Sequence, residues 1–198
     1  MYSNIISLGD HCAIPLLLKE LDLRKKSYPF DWTTHEDQTE NTNIMYNLMC
    51  IQRLFYDTID HIVNDYIGFK FTGKQSFICF PHEHGSYEDI KQKYTRRFER
   101  LKQDLSQKNV YLMLTRHYSI DPSVIDWIIK NLLQNGSILV FISGIYHPYF
   151  DTMNYENVIF KYIPYDVKKF DDYDFIFRPM IKSYLADLFK NILHDRSS

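Results

Sequence analysis

Cys12 stands in the sequence where a protein can present a nucleophile at the start of a helix. It follows a short apolar run, residues 5–8, and Gly9, which breaks that run. Pro15 is tolerated only in the first turn of a helix, so a helix is predicted to begin at about Cys12 or slightly later. Unpaired N–H groups and the positive end of the helix dipole favour a thiolate there. Most intracellular cysteines are small buried hydrophobic residues, so this placement taken alone favours a core role, and further residues are needed to support a nucleophile.

A histidine and an aspartate are the candidate partners of this thiol. His82 follows an apolar run of four residues, and its imidazole can accept the Cys12 proton before the thiolate attacks an acyl carbon. Asp31, between two aromatic residues, is the preferred carboxylate to fix the imidazole tautomer, because a desolvated carboxylate must be paired. Two structural alternatives stay open. Asp31 could anchor its loop by accepting backbone N–H groups, and His82 could be a turn residue.

Apolar strands that alternate with amphipathic helices predict the scaffold of the site. The alternation predicts one α/β domain over residues 1–198, with three layers, a largely parallel sheet and flanking helices. Ligand sites in such sheets gather beyond the carboxyl ends of the strands. Cys12, His82 and the pair Arg116-His117 each follow a predicted strand. The predicted strands are 5–8, 77–80, 110–114, 138–142 and 158–163.

The helices are predicted from caps and apolar spacing. Ser86 with Asp89 forms a capping-box pattern that opens a helix over about 86–106. Asp121-Pro122 supplies an N-cap and a first-turn proline. Further helices are predicted over about 40–56, with a buried stripe of Ile44, Met45, Leu48 and Phe55, and from Arg178 to about Leu193.

One segment between these helices alternates in the manner of a strand. Ile67, Phe69 and Phe71 are separated by Gly68, Lys70 and Thr72, which predicts a half-exposed strand.

The composition excludes some classes of partner and favours a reducing compartment. A net charge of −2 argues against binding nucleic acid by neutralising phosphates. No apolar run approaches 18 residues, and no leader pattern follows Met1, so a membrane partner is not expected. The three cysteines are an odd number, and Cys50 and Cys79 lie in apolar patterns typical of a core. We therefore expect a cytoplasmic protein.

Four blocks resemble a known family of domains found in bacteria and some large DNA viruses. They are residues 6–12 (Ile-Ser-Leu-Gly-Asp-His-Cys), 27–32 (Ser-Tyr-Pro-Phe-Asp-Trp), 80–83 (Phe-Pro-His-Glu) and 94–98 (Tyr-Thr-Arg-Arg-Phe). Together they resemble the family called “putative papain-like cysteine peptidase”, over roughly residues 4–118. The Pro-Phe-Asp-Trp part of the second block is the most specific.

The resemblance implies a cysteine–histidine pair with an acidic third member. Carried over by position, the cysteine is Cys12 and the histidine is His82. The family tends to have aspartate after that histidine, whereas this chain has Glu83. Either Asp31 or Glu83 could therefore orient the imidazole. A papain-type enzyme draws its histidine from a β-barrel, whereas the alternation of strands and helices here predicts a layered sheet.

Two other kinds of site fit the sequence less well. A metal site could use His82, Glu83 and His84 with His117 and Cys79, but no second paired ligand motif is present. Gly9-Asp10 is similar to the nucleophile block of SGNH-type esterases. Their Asp-x-x-His element has no counterpart, because Asp187 and His194 are seven residues apart. No glycine-rich phosphate loop occurs. We expect neither a metal nor a cofactor.

The sequence therefore predicts a thiol hydrolase whose substrate is a peptide or another acyl compound. The alternative is a binding module that has the fold without catalysis, with aromatic surface and the basic face of Arg96, Arg97 and Arg100 serving a protein or an anionic group. A third option is hydrolysis or transfer on a carbohydrate or other small acyl compound. The oligomeric state is not predicted.

Overall fold

Strands and helices alternate along most of the chain, as the sequence predicts. The computed structural model describes residues 2–9, 13–32, 34–35, 42–72, 78–79, 83–116, 118–152, 155–164 and 178–194. The strands among them are β1 (Asn4–Ser7), β2 (Thr34–His35), β3 (Ile78–Cys79), β4 (Asn109–Thr115), β5 (Ile138–Ser143) and β6 (Val158–Tyr162). The α-helices are α1 (Ala13–Glu20), α2 (Thr42–Arg53), α3 (Ile59–Thr72), α4 (Tyr87–Asp104), α5 (Pro122–Leu132) and α6 (Arg178–His194).

Four of the strands form one parallel sheet. Its order is β1-β4-β5-β6, and every neighbouring pair is parallel. The register pairs Asn4 with Asn109 and Thr115 with Ser143. The carboxyl ends of β1, β4 and β5 therefore lie along one edge of the sheet, and their amino ends lie along the other.

Helices cover both faces of this sheet. Strands β4 and β5 are buried at every position, so both faces must be covered. Residues of α1 and α6 form the core on one face with Val110, Leu112 and Leu114. Residues of α2, α3, α4 and α5 form the core on the other face with Tyr111 and Met113. The predicted three-layer α/β architecture with a parallel sheet is confirmed.

Two predicted helix starts are confirmed in detail. The Ser86 side chain accepts a hydrogen bond from the Asp89 backbone N–H, and the Asp89 side chain accepts one from the Ser86 backbone N–H. Asp121 caps α5 by accepting from Ser123 N at 2.8 Å, and Pro122 lies in the first turn. None of the helices within the described residues has the length and apolar character needed to cross a bilayer.

The predicted strand around Ile67 is wrong. This segment is the last part of α3, which continues to Thr72. Ile62, Val63, Tyr66 and Ile67 are all fully buried, and their spacing forms one stripe along a helix. Burial of that stripe in the tertiary structure outweighs the short alternation of large apolar residues with other residues that suggested a strand.

Two further expectations need correction. Within the described part of the apolar run 77–80, Ile78–Cys79 form β3, a two-residue strand that is antiparallel to β2 and lies outside the parallel sheet. The described strand that precedes His82 is therefore not one of the parallel sheet. On α2, Ile44 and Leu48 are buried as predicted, but Met45 is 43% exposed and Phe55, beyond the helix, is 67% exposed. The buried stripe of α2 continues instead through Cys50 and Ile51.

Candidate active site

A tight turn at Gly9 leads from β1 toward the position of Cys12. Ser7 and Leu8 are buried, and Gly9 has φ +97, a left-handed conformation that favours glycine. The Gly9 N–H donates to Ser7 Oγ at 3.2 Å. Helix α1 begins at Ala13 with Pro15 in its first turn, within the range that the sequence predicts. Cys12 itself lies outside the described residues, so its position at this N-terminus stays a prediction.

Asn47 supports this turn, and sequence reasoning missed it. It lies on the buried side of α2, is 1% exposed, and its Nδ2 donates to the Leu8 carbonyl at 2.8 Å. A Cβ at position 9 would collide with the same nitrogen. Asn47 Oδ1 is buried and has no hydrogen bond to the described residues. A polar residue within an apolar helical stripe was the sequence signal that could have identified it.

Asp31 is buried at 3% exposure and anchors its own loop. Its Oδ2 accepts from Arg24 Nη2 at 2.8 Å and from the Tyr28 backbone N–H at 3.0 Å. Burial raises the pKa of Asp31, whereas the Tyr28 N–H and the Arg24 charge act in the opposite direction. These are the contacts expected if Asp31 anchors its loop. His82 lies outside the described residues, and an orienting role for Asp31 stays a prediction.

Glu83 is also buried, and cations hold both of its oxygens. Oε1 accepts from Arg97 Nη1 at 2.8 Å, and Oε2 accepts from Lys93 Nζ at 2.5 Å. Burial alone would raise the pKa of Glu83, but the Lys93 hydrogen bond and the Arg97 charge outweigh it and lower the pKa. Arg97 is 8% exposed, with its guanidinium 4.9 Å from the centre of the Tyr94 ring. Arg97 therefore does not belong to an exposed basic face, which corrects that expectation.

The structure brings the neighbours of the predicted site residues together around the middle of α4. Phe30, next to Asp31, lies 6.0 Å from Phe98 between ring centres. The Phe30 Cβ lies 3.4 Å from the place where a Gly9 Cβ would be. Arg97, beside Phe98, binds Glu83. The Gly9 turn thus contacts the Asp31 loop at Phe30, and Phe30 packs on α4. The same helix binds Glu83, the residue after His82.

The carboxyl end of β5 carries a polar cluster that the sequence did not indicate. Thr115 Oγ1 donates to Ser143 Oγ at 3.0 Å, and the Ile145 N–H donates to the same oxygen at 3.1 Å. The Ser143 hydroxyl and His147 Nε2 lie within hydrogen-bond distance, at 3.0 Å. His147 is 2% exposed, and burial lowers its pKa. The enclosed imidazole thus links the end of β5 to the connection between β5 and β6.

Of the residues suggested for a metal site, the structure describes the side chains of Glu83 and His84. His82, His117 and the Cys79 side chain lie outside the described part of the chain. His84 is exposed, and Glu83 is already bound by two cations. Within the ranges that the structure describes, no group of three or more histidine, cysteine or acidic side chains could hold a metal ion. Arg116, which the sequence also predicts to follow a strand, directly follows β4 and is 5% exposed.

Comparison with known proteins connects this region to one family. The model of the family described as “Putative papain-like cysteine peptidase” matches residues 3–135. That span contains the Gly9 turn, Asp31, Glu83 and all of α4. A protein of Acanthamoeba polyphaga mimivirus, “Uncharacterized protein R408”, is 27% identical over 173 residues, covering 72% of this chain and 77% of the relative. No solved structure matches the chain.

Proposed function

The chain belongs to the family described as “Putative papain-like cysteine peptidase”, and from this we propose that it is a cysteine hydrolase. Cys12 is the proposed nucleophile, His82 the base and Asp31 the residue that orients the imidazole. The substrate is a peptide, an isopeptide or another acyl bond, most simply in a protein. The observation that carries the proposal is a chain of contacts around Phe30. The Gly9 turn lies against Phe30, Phe30 packs on Phe98 of α4, and Arg97 of α4 binds Glu83, the residue after His82.

The proposed reaction needs only the groups named. The Cys12 proton passes to His82, and the thiolate attacks the carbonyl carbon. Backbone N–H groups near the start of α1 would stabilise the oxyanion. When the tetrahedral intermediate collapses, the leaving amine takes the proton from the imidazolium, and an acyl-enzyme forms. Water, deprotonated by His82, then hydrolyses the thioester and regenerates the thiol.

The described contacts favour Asp31 over Glu83 as the orienting carboxylate. Both hydrogen bonds to Asp31 end on Oδ2, so Oδ1 is not occupied by any of the described residues. Arg97 and Lys93 occupy one Glu83 oxygen each. An imidazole N–H needs an available acceptor. This difference supports the proposal that Asp31 receives the His82 N–H while Glu83 positions the chain segment that carries His82.

A cytoplasmic location completes the proposal. A reducing compartment keeps thiols unpaired. Cys50 is a free buried thiol, which fits such a compartment.

Alkylation by iodoacetamide at pH 7 tests the proposed nucleophile. Cys50 is an internal control, because it is 1% exposed and burial raises its pKa to about 12, so its thiol stays protonated and unreactive. We expect peptide mapping to find modification mainly at Cys12. Cys12→Ala should abolish this labelling, and His82→Ala should slow it, because the imidazole no longer takes the proton.

Acyl-type activity probes then test the hydrolase itself. Wild-type protein should form a stable adduct that Cys12→Ala does not form, while Cys50→Ala retains it. If Cys12 reacts no faster than Cys50, the hydrolase proposal fails. In that case the family fold serves here as a binding module.

A further inference from the structure

A cavity of about 440 Å³ lies at the end of α1 remote from Ala13. Its lining is strongly basic: Lys19, Arg24, Lys25, Lys26 and Arg100, with Ser27. We call this cavity the basic pocket. Its volume falls in the range of small-molecule sites, roughly 300–1,000 Å³. No phosphate-binding motif marks this site in the sequence, because the cations come from α1, from the loop after it and from α4.

A sharp turn brings the loop residues into the basic pocket. Asp22, just beyond α1, has φ 55, the left-handed conformation that ends many helices. The Leu23 and Arg24 N–H groups both donate to the Leu18 carbonyl, at 2.8 and 3.1 Å. This hydrogen bonding folds the chain back across the end of α1, so that Lys25 enters the same space as Lys19.

Two of the cations are held in place by buried carboxylates. Arg24 pairs with Asp31 at 2.8 Å and also donates to Ser27 Oγ at 2.8 Å. Lys26 Nζ lies 2.8 Å from Asp104, whose side chain is 4% exposed. These pairs fix the wall of the basic pocket before any ligand binds. A preorganised wall lowers the ordering cost of binding.

The other three cations have no carboxylate partner among the described residues. Lys19 and Lys25 are exposed and form no ion pair with the described residues. Arg100 uses Nη1 to donate to the Ser27 carbonyl at 2.5 Å, a neutral acceptor. Three positive charges therefore face one cavity without a carboxylate in its lining. Mutual repulsion among them is relieved when an anion binds.

We propose that the basic pocket binds a small phosphorylated molecule through Lys19, Lys25 and Arg100. Lysine and arginine donate several charge-assisted hydrogen bonds to phosphate oxygens, and Ser27 adds a hydroxyl. A charge of −2 for the whole chain favours a compact polyanion over a long nucleic acid.

The candidate active site does not use Lys19, Lys25 or Arg100, although Arg24 in the wall of the basic pocket pairs with Asp31. Helix α1 runs from the end of the Gly9 turn toward Glu20, and Lys26 pairs with Asp104 at the end of α4 just before β4 begins. The pocket thus lies toward the amino edge of the parallel sheet, whereas the candidate site lies toward its carboxyl edge. Its function does not depend on whether Cys12 is a nucleophile.

Calorimetric titration of the full chain with sodium tripolyphosphate tests the proposal. We expect saturable binding with one ligand per chain, weaker at higher salt. The double variant Lys19→Glu/Lys25→Glu should bind at least about tenfold more weakly, because two charge-assisted contacts become repulsive. Neither lysine has an ion pair with the described residues, so the fold should be unaffected.

A matched double variant distinguishes binding at the basic pocket from a general effect of net charge. Lys130 and Lys190 are exposed, lie on α5 and α6, and do not line the basic pocket. Lys130→Glu/Lys190→Glu makes the same change in net charge and should change the tripolyphosphate affinity less than about twofold. Equal weakening in both double variants would overturn the proposal, as would the absence of saturable binding by the wild type.

Lipid vesicles test where the phosphate comes from, and an oligonucleotide tests whether the ligand is a small molecule. Vesicles of phosphatidylcholine with phosphatidylinositol bisphosphate present the same chemistry on a lipid. Binding that the Lys19→Glu/Lys25→Glu variant loses would assign the ligand to a lipid headgroup, whereas binding of tripolyphosphate alone would assign it to a free metabolite. Tighter binding of a single-stranded oligonucleotide than of tripolyphosphate would contradict the small-molecule proposal.

Discussion

Asp31 and Glu83 are both buried carboxylates close to α4, but their surroundings neutralise them differently. Asp31 shares one oxygen between the Arg24 guanidinium and the Tyr28 N–H. Glu83 has a separate cation on each oxygen. Accordingly, the pKa of Asp31 is raised by burial, whereas burial of Glu83 is outweighed by Lys93 and Arg97 and its pKa is lowered.

The comparison indicates a division of roles between the two carboxylates. A carboxylate with a cation on each oxygen is already well neutralised, so a further hydrogen bond adds less to its stability. A carboxylate that keeps an oxygen available, in a site where its charge is poorly compensated, gains most from a proton donor such as an imidazole N–H. We therefore expect Asp31 to affect activity more and Glu83 to affect stability more.

The largest expected effect is on the activity of an Asp31→Asn variant. The amide cannot hold the imidazole in the tautomer that accepts the Cys12 proton, so the rate of Cys12 acylation should fall by about 10²- to 10⁴-fold. Glu83→Gln should lower the same rate less than about tenfold, measured per folded molecule. The reaction of an acyl probe with Cys12, followed by mass spectrometry, gives both rates. A larger loss in Glu83→Gln would reverse the assignment of the orienting carboxylate.

The next effect is on stability, and it should be larger for Glu83. Glu83→Gln removes the carboxylate that pairs with the buried Arg97 guanidinium, and such a loss typically destabilises a protein by about 3–5 kcal/mol. We expect the lower part of that range, because Lys93 is 40% exposed and can turn to solvent. Asp31→Asn keeps an acceptor for the Tyr28 N–H and should cost about 1–3 kcal/mol.

Urea denaturation measures both free energies of unfolding. Glu88→Gln is the control, because Glu88 is exposed in the first turn of α4 and should change the stability by less than about 0.5 kcal/mol. Equal losses in the Asp31 and Glu83 variants would remove the distinction between them.

The smallest expected effect is on the pH dependence of folding stability, to which the two carboxylates should contribute with opposite signs. The pKa of Glu83 is lowered in the folded state, so its contribution is complete above about pH 4.5 and is lost as the pH falls through the folded pKa. The pKa of Asp31 is raised, so the folded state binds more protons and stability decreases as the pH rises from about 3.8 through the folded value. Each group changes the slope of the unfolding free energy against pH by at most about 1.4 kcal/mol per pH unit.

Unfolding free energies between pH 3 and 6 provide the measurement. Glu83→Gln should flatten the loss of stability in acid, whereas Asp31→Asn should increase the rise of stability with pH. If both substitutions change the slope in the same direction, the two carboxylates are not neutralised as the structure indicates.

Several elements could be predicted from the sequence because their determinants are local. The capping box at Ser86, the Asp121 cap and the buried strands β4 and β5 each depend on residues within a few positions of one another. The error at residues 67–71 has a physical cause too. A short alternation is compatible with a strand, but the buried stripe from Ile62 to Ile67 makes the segment part of α3.

The sequence by itself determined the layered α/β class, the main helix boundaries and the types of residue available for chemistry, because periodicity, caps and turns act over short distances. Only the tertiary structure decided that Asn47 supports the Gly9 turn, that Arg97 turns inward to Glu83, and that five cations surround one cavity. These arrangements join residues far apart in the chain. Their geometry depends on how the helices pack on the sheet, and no local pattern of residues encodes that packing.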